Sequence, residues 1–258
     1  MNSSHNIPDH IIQLLEEKAS QYNTLEFIKD DPIQVPHQFS KKENIEIAGF
    51  LTATISWGQR STIIKNASDL IRRLDNDPID FITRATEADY DVFNGFVHRT
   101  FQSEDCKFFV KSLKNIYLHK GGLETVFENA YSTGGTVKAA LTQFRKEFFD
   151  LPHPGRTKKH VADVAGNASG KRLNMFLRWM VRRDDRGVDF GIWEKIDPAD
   201  LFVPLDIHTG TIARKLGLLQ RKQNDWKAVE ELTSVLRTLD PADPVKYDFA
   251  LFGLGLYE

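Results

Sequence analysis

Residues 201–219 read LFVPLDIHTGTIARKLGLL, a short apolar approach that turns at Pro204 and Asp206 into an amphipathic helix. Asp206 stands where an N-cap is expected. Its carboxylate can accept the backbone N–H of His208 or Thr209, an arrangement worth about 0.5–2 kcal/mol. The same side chain can instead face a cleft and act chemically, and at this level both readings stay open. His208 reads as first-turn surface.

Outward from this stretch the pattern stays helical. Residues 160–185, HVADVAGNASGKRLNMFLRWMVRRDD, give a short helix, a loop holding Gly166 and Gly170, and a second helix. In that helix Leu173, Phe176, Leu177, Met180 and Val181 fall at the i, i+3, i+4, i+7 and i+8 positions of a buried stripe. Lys171, Arg178 and Arg182 fall on another side, as a basic ridge that begins at the helix N-terminus. Downstream, Trp226, Val229, Leu232 and Leu236 define a further helix, and Asp243 with Pro244 opens the last one.

Toward the N-terminus, residues 44–57, NIEIAGFLTATISW, are apolar on almost every face. Such a helix belongs in the centre of a bundle, with Ser40 and Glu43 as its capping box. Gln59, Arg60 and Ser61 follow as a polar turn. The segment from Asp30 to Phe39, with Pro32 and Pro36, is expected to run as an extended connector. Strict alternation is scarce, so the fold class expected is all-α.

At 258 residues the chain can bury a good core as one large domain or two modest ones. The single cysteine, Cys106, excludes a disulfide framework and any four-thiolate zinc or iron–sulfur site. No HExxH or similar spacing suggests a metal site, so no metal and no cofactor is expected. The N-terminal residues lack the layout of a signal peptide, and no apolar run approaches the roughly 18 residues of a membrane span. A cytoplasmic protein without a membrane partner is expected.

The net charge of −2 argues against a general nucleic-acid binder, yet the charge is uneven. From Arg156 to Arg183 there are eight basic residues and one acid, Asp163, a net of +7. This is a candidate phosphate-facing surface, and a solvated face is the competing reading. Within it, GNASGKR (166–172) resembles a nucleotide-binding phosphate loop only superficially. Three residues separate the glycines instead of four, Arg172 replaces the Ser or Thr that holds magnesium, and no strand precedes the loop. The glycines still let a phosphate approach the free N–H groups of a helix N-terminus.

The run VPLDIHTGTIARKLGL (203–218) is similar to the segment of the helix-hairpin-helix DNA glycosylases in which an Asp precedes an amphipathic helix. IAGFLTATISWGQRS (47–61) resembles an early barrel helix of that superfamily and the turn after it. The hairpin departs from the usual pattern, because Gly166 and Gly170 lie farther apart and Lys171 directly follows the second glycine. Lys171 and Asp206 are 35 residues apart, closer to the archaeal 8-oxoguanine glycosylase branch than to the endonuclease III branch. Over nearly its full length, through SGKRLNMFLRWMVR (169–182) and DPVKYDFALFGLG (243–255), the chain looks most like a bacterial family known as domain of unknown function 2400.

The resemblance implies a two-lobed glycosylase-like fold, with a barrel lobe over residues 44–183 and a second lobe from residues 1–43 plus 184–258. It implies a base-excision DNA glycosylase, with or without strand-nicking lyase activity, acting on damaged bases such as oxidised purine in double-stranded DNA. Asp206 is then the catalytic carboxylate and Lys171 the nucleophile that forms a Schiff base. For Lys171 a phosphate-binding or solvated lysine is the competing reading. Gly166, Ser169, Gly170, Arg172, Arg178 and Arg182 would hold backbone phosphates. Gln59 would fill the gap left by the extruded base, with Arg60 beside it, and Trp57, Trp179 and Phe249 are candidates for stacking on that base or for the core. No iron–sulfur cluster is implied. A noncatalytic DNA-binding protein that keeps the fold is the alternative.

Overall fold

The computed structural model describes residues 7–257, and among them twelve α-helices make up almost all the regular structure. The all-α expectation holds. The chain forms two compact units, one from Met1–Phe27 with Asp163–Glu258 and the other from Ile28–Ala162. Their bounds differ from the lobes expected. Residues 28–43 belong with the following helices, and 163–183 belong with the C-terminal ones.

In the unit 28–162 the helices are α3 (Lys42–Ile55), α4 (Arg60–Arg73), α5 (Pro78–Arg84), α6 (Ser103–His119), α7 (Leu123–Gly134) and α8 (Val137–Phe148). The unit is built round α3, buried continuously from Asn44 to Ile55. Phe50 of this helix packs against Phe109 of α6 and against Phe144 and Phe148 of α8. Each such ring contributes about 1.5–3 kcal/mol by leaving water. The polar members of α3 are matched: Glu46 accepts the Tyr117 hydroxyl at 2.6 Å, and the Asn44 side chain accepts the Ile79 N–H at 2.9 Å.

Two local expectations need correction in this unit, and one feature is added. The N-cap of α3 is Lys41 with no side-chain bond, so Ser40 lies one residue outside the helix and no Ser40–Glu43 box forms. The segment after Asp30 is not extended. Pro32 and Pro36 each open a 3-10 turn, Pro32–Gln34 and Pro36–Gln38, because the fixed proline φ suits a first helical turn as well as an extended chain. The Asp31 carboxylate completes the first turn by accepting the Ile33 N–H at 3.0 Å. Finally, β1 (Val97–His98) and β2 (Phe101–Gln102) form a small antiparallel hairpin, too short to give an alternating signal in the sequence.

The other unit contains α1 (Asp9–Tyr22), α9 (Lys171–Val181), α10 (Ile207–Lys215), α11 (Trp226–Leu239) and α12 (Tyr247–Tyr257); α2 (Leu25–Asp30) carries the chain across the boundary. Both α1 and α10 pack on α12. Gly253 makes the α1 contact feasible, since a Cβ there would lie 2.1 Å from the Tyr22 ring. In α9 the predicted stripe is buried, but so are Asn174, Arg178 and Trp179 on the remaining faces.

Beyond Lys171 the basic ridge is therefore internal. Arg178 donates from Nε to Asp189 at 3.2 Å and from Nη1 to Asp248. Arg182 donates to Asp189 at 3.1 Å, lies 2.8 Å from Asp184, and grips both oxygens of Asp243. Burial opposes the charge on Arg182, but Asp189, Asp243 and Asp184 outweigh it and hold its pKa above the usual arginine value. Both guanidinium groups also lie against the Phe249 ring, Arg178 at 4.4 Å from its centre and Arg182 at 5.4 Å. Neither arginine faces solvent as a phosphate contact.

Candidate functional site

The start of α9 is shaped by its glycine loop. Gly170 occupies the N-cap position at φ +64, and a Cβ there would lie 2.8 Å from Val164 Cγ1, so both conformation and space call for glycine. Gly166 does not offer its N–H to a ligand. That group donates to the Asp163 carboxylate at 3.1 Å, and the Ala168 N–H returns to the Asp163 carbonyl at 3.0 Å. Ser169 is half-buried, and its carbonyl accepts from Asn174 Nδ2 at 3.3 Å. Arg172 is half-buried in the first turn, where desolvation lowers its pKa to about 10.

Lys171 opens the helix and reaches toward Asp206 at the start of α10. Its Nζ lies 4.0 Å from Asp206 Oδ2 and 3.6 Å from Met175 Sδ. The two oxygens of Asp206 divide their roles. Oδ1 accepts the Thr209 N–H at 3.0 Å, completing the N-cap, while Oδ2 is the atom turned to the lysine. About a quarter of each side chain remains accessible to solvent, 23 % for Lys171 and 26 % for Asp206. The capping and chemical readings of Asp206 are thus compatible in one side chain.

A second acid, which the sequence reading missed, belongs to this site. Asp248 on α12 is buried beside Arg178. Burial pushes its carboxyl up to about 6; Arg178 opposes that rise, Asp206 adds to it, and Lys171 opposes it. Its sequence signal was available as a lone acid inside the apolar run YDFALFGLG (247–255). An unfolded carboxyl keeps the ordinary value of 3.8. As pH rises through the window between 3.8 and about 6, the unfolded chain gives up this proton while the native protein retains it. The stability contributed by this group therefore falls across that window, by about 2–3 kcal/mol in all. Asp248→Asn cannot titrate, so the stability difference between wild type and variant in urea melts is expected to shrink by that amount from pH ~4 to ~7. The same difference at both pH values rejects the assignment.

The stacking candidates separate. Trp179 and Phe249 are fully buried and serve the core, so neither is placed to meet a base. Trp57, in the unit 28–162, stays partly accessible; its ring lies over His160 at 6.0 Å and meets His98 edge-on at 5.0 Å. Gln59 is exposed at the N-cap of α4, and Arg60 is half-buried at its first position. In the same unit a depression of about 450 Å³ is lined by Tyr90, Lys111 and Lys114 among others. Both lysines are already committed, Lys111 to Glu87 at 2.6 Å and Lys114 to the Ala85 carbonyl at 2.5 Å.

Among the described residues no group of three or more His, Cys, Asp or Glu side chains is placed to hold a metal ion, and no helix is long and apolar enough to cross a membrane. The chain matches no curated protein and no solved structure. The family model described as "Protein of unknown function (DUF2400)" matches residues 31–257, and the chain belongs to that family.

Proposed function

We propose that this protein is a DNA base-excision glycosylase of the two-lobed helix-hairpin-helix type, with Lys171 as nucleophile and Asp206 as its charged partner. The observation that carries the reading is the 4.0 Å approach of Lys171 Nζ to Asp206 Oδ2, made by residues 35 positions apart in the sequence. In the reaction the neutral amine attacks C1′ of the damaged deoxynucleotide, and the glycosidic bond breaks with its electron pair leaving on the base, which takes up a proton. Loss of a proton from the amine and opening of the sugar ring, with a proton taken by the ring oxygen, give a C1′=N Schiff base.

Asp206 stabilises the positive charge that develops on the sugar as the base leaves. Its bond to the Thr209 N–H orients it for that role at no further cost of reorganisation, and proton shuttling between amine and leaving base is its second task. The similarity of the Lys171–Asp206 spacing to the archaeal 8-oxoguanine branch favours an oxidised purine as substrate. Arg178 and Arg182 are committed to internal carboxylates, so neither this reading nor the competing one of a noncatalytic DNA-binding protein draws its phosphate contacts from them.

The test is borohydride trapping together with base-release assays on duplexes carrying 8-oxoguanine, an oxidised pyrimidine, an alkylated purine or uracil. A covalent protein–DNA adduct with released oxidised purine is expected. Salt-sensitive DNA binding without base release from any duplex would replace this reading with the noncatalytic one.

A further inference from the structure

One short segment, Arg221–Trp226, holds the starting points of both helices that present the reactive pair. On one side, Asn224 Nδ2 donates to the backbone carbonyl of Asp206 at 3.0 Å. The amide orientation is fixed by its other end, where Oδ1 accepts from Arg214 Nη2 at 2.6 Å, and only the opposite assignment of nitrogen and oxygen would set two donors face to face. Arg214 is itself held, donating from Nε to the Arg221 carbonyl at 2.8 Å. Gly210 leaves room for this ring of bonds, because a Cβ there would lie 2.7 Å from Asn224 Oδ1 and 2.8 Å from Arg214 Nη1.

On the other side, Asp225 accepts from Asn167 Nδ2 at 3.0 Å and forms an antiparallel bridge with Ala168, and the Trp226 N–H donates to the Asn167 carbonyl at 3.1 Å. The Trp226 ring lies 3.6 Å from where a Cβ on Gly170 would stand. Asn167 through Gly170 is the loop that launches Lys171. Adjacent residues thus grip the two helix starts, and neither touches the reacting atoms.

We infer that Asn224 is a positioning residue for the Lys171–Asp206 pair: it fixes Asp206 through its carbonyl, while Asp225 beside it fixes the Lys171 loop, and together they set the separation of amine and carboxylate. This rests on the reading of that pair as the reactive centre. A lysine side chain on a flexible stem keeps a productive distance only if the backbones that carry the two groups are registered to each other, and displacements of about 1 Å at such a site cost on the order of 100-fold in rate.

The test uses Asn224→Leu, which keeps the volume and removes both hydrogen-bonding ends; Asn224→Asp, which keeps an acceptor for Arg214 and loses only the donor to Asp206, serves if the first variant does not fold. With 13Cε-lysine label and the Lys171 resonance assigned through Lys171→Arg, the shift that Asp206→Asn produces in that resonance is measured in both backgrounds. It is expected to fall by half or more when Asn224 is replaced. An equal shift in both backgrounds overturns the proposal, and so does the absence of any shift in the wild-type background. In the activity assay, kcat for base release is expected to fall about 10- to 100-fold with KM for duplex changed less than about threefold, and with little further loss when Asn224→Leu is added to Asp206→Asn. Additive losses would assign Asn224 a general structural role. A wild type that releases no base defeats the glycosylase reading alone, since the resonance comparison still decides the positioning role.

Discussion

Lys171→Ala is expected to eliminate the borohydride-trapped adduct while leaving the fold intact. The side chain is partly exposed and its contacts are the long approach to Asp206 and the Met175 sulfur, while buried Asp248, on which Lys171 also acts, keeps Arg178 as its direct partner. Alanine also favours the first turn of a helix. Asp206→Asn makes the complementary test. Asparagine caps a helix about as well as aspartate, so the bond to the Thr209 N–H survives and only the charge goes. Base release is then expected to slow by about 10²–10³, the usual loss when one preorganised electrostatic partner is removed from a developing charge. Persistence of the adduct in Lys171→Ala moves the nucleophile elsewhere, and unchanged release in Asp206→Asn reduces Asp206 to its cap.

The second large effect is on stability. Arg178→Met is expected to cost about 3–5 kcal/mol in urea denaturation at pH ~8, because it strands the Asp248 carboxylate in the interior without its cation and leaves Asp189 to Arg182 alone. At pH ~5 the loss is expected to be smaller, since Asp248, already pushed up to about 6, can take a proton instead of remaining an uncompensated charge. Adding Asp248→Leu to Arg178→Met is expected to return part of the lost stability at pH ~8. A pH-independent loss below about 1 kcal/mol would mean that these side chains are solvated, the competing reading of the basic segment.

That segment shows where sequence patterning runs out. The helix at 44–57, the apolar stripe of α9 and the Asp206 cap were legible because each is decided by residues three or four apart. Arg178 and Arg182 follow the same local spacing and were assigned to the surface, yet their carboxylates come from 184–189 and 243–248 and are invisible to any helical period. Prolines 32 and 36 were read as breakers when each begins a turn, a choice made by the Asp31 cap and its surroundings. The Lys171–Asp206 pair was nominated through resemblance, whereas Asp248 and Asn224 needed the tertiary structure. Gly210 alone hinted at Asn224, and only in hindsight, as a glycine in the first turn of a helix that otherwise has no need of one.

The packing of α1 on α12 bears on the order in which the protein is made. The unit 28–162 has its whole sequence available once its last helix leaves the ribosome, but the unit bearing Lys171 and Asp206 draws on both ends of the chain. At about 5–20 residues per second, α1 waits on the order of 10–50 s for the helix whose Gly253 receives Tyr22. During that interval the apolar side of α1 lacks the helix it packs on in the folded protein. Lys171 and Asp206 both lie in that unit, so a chain interrupted before α12 carries the two residues without one of the helices of their unit.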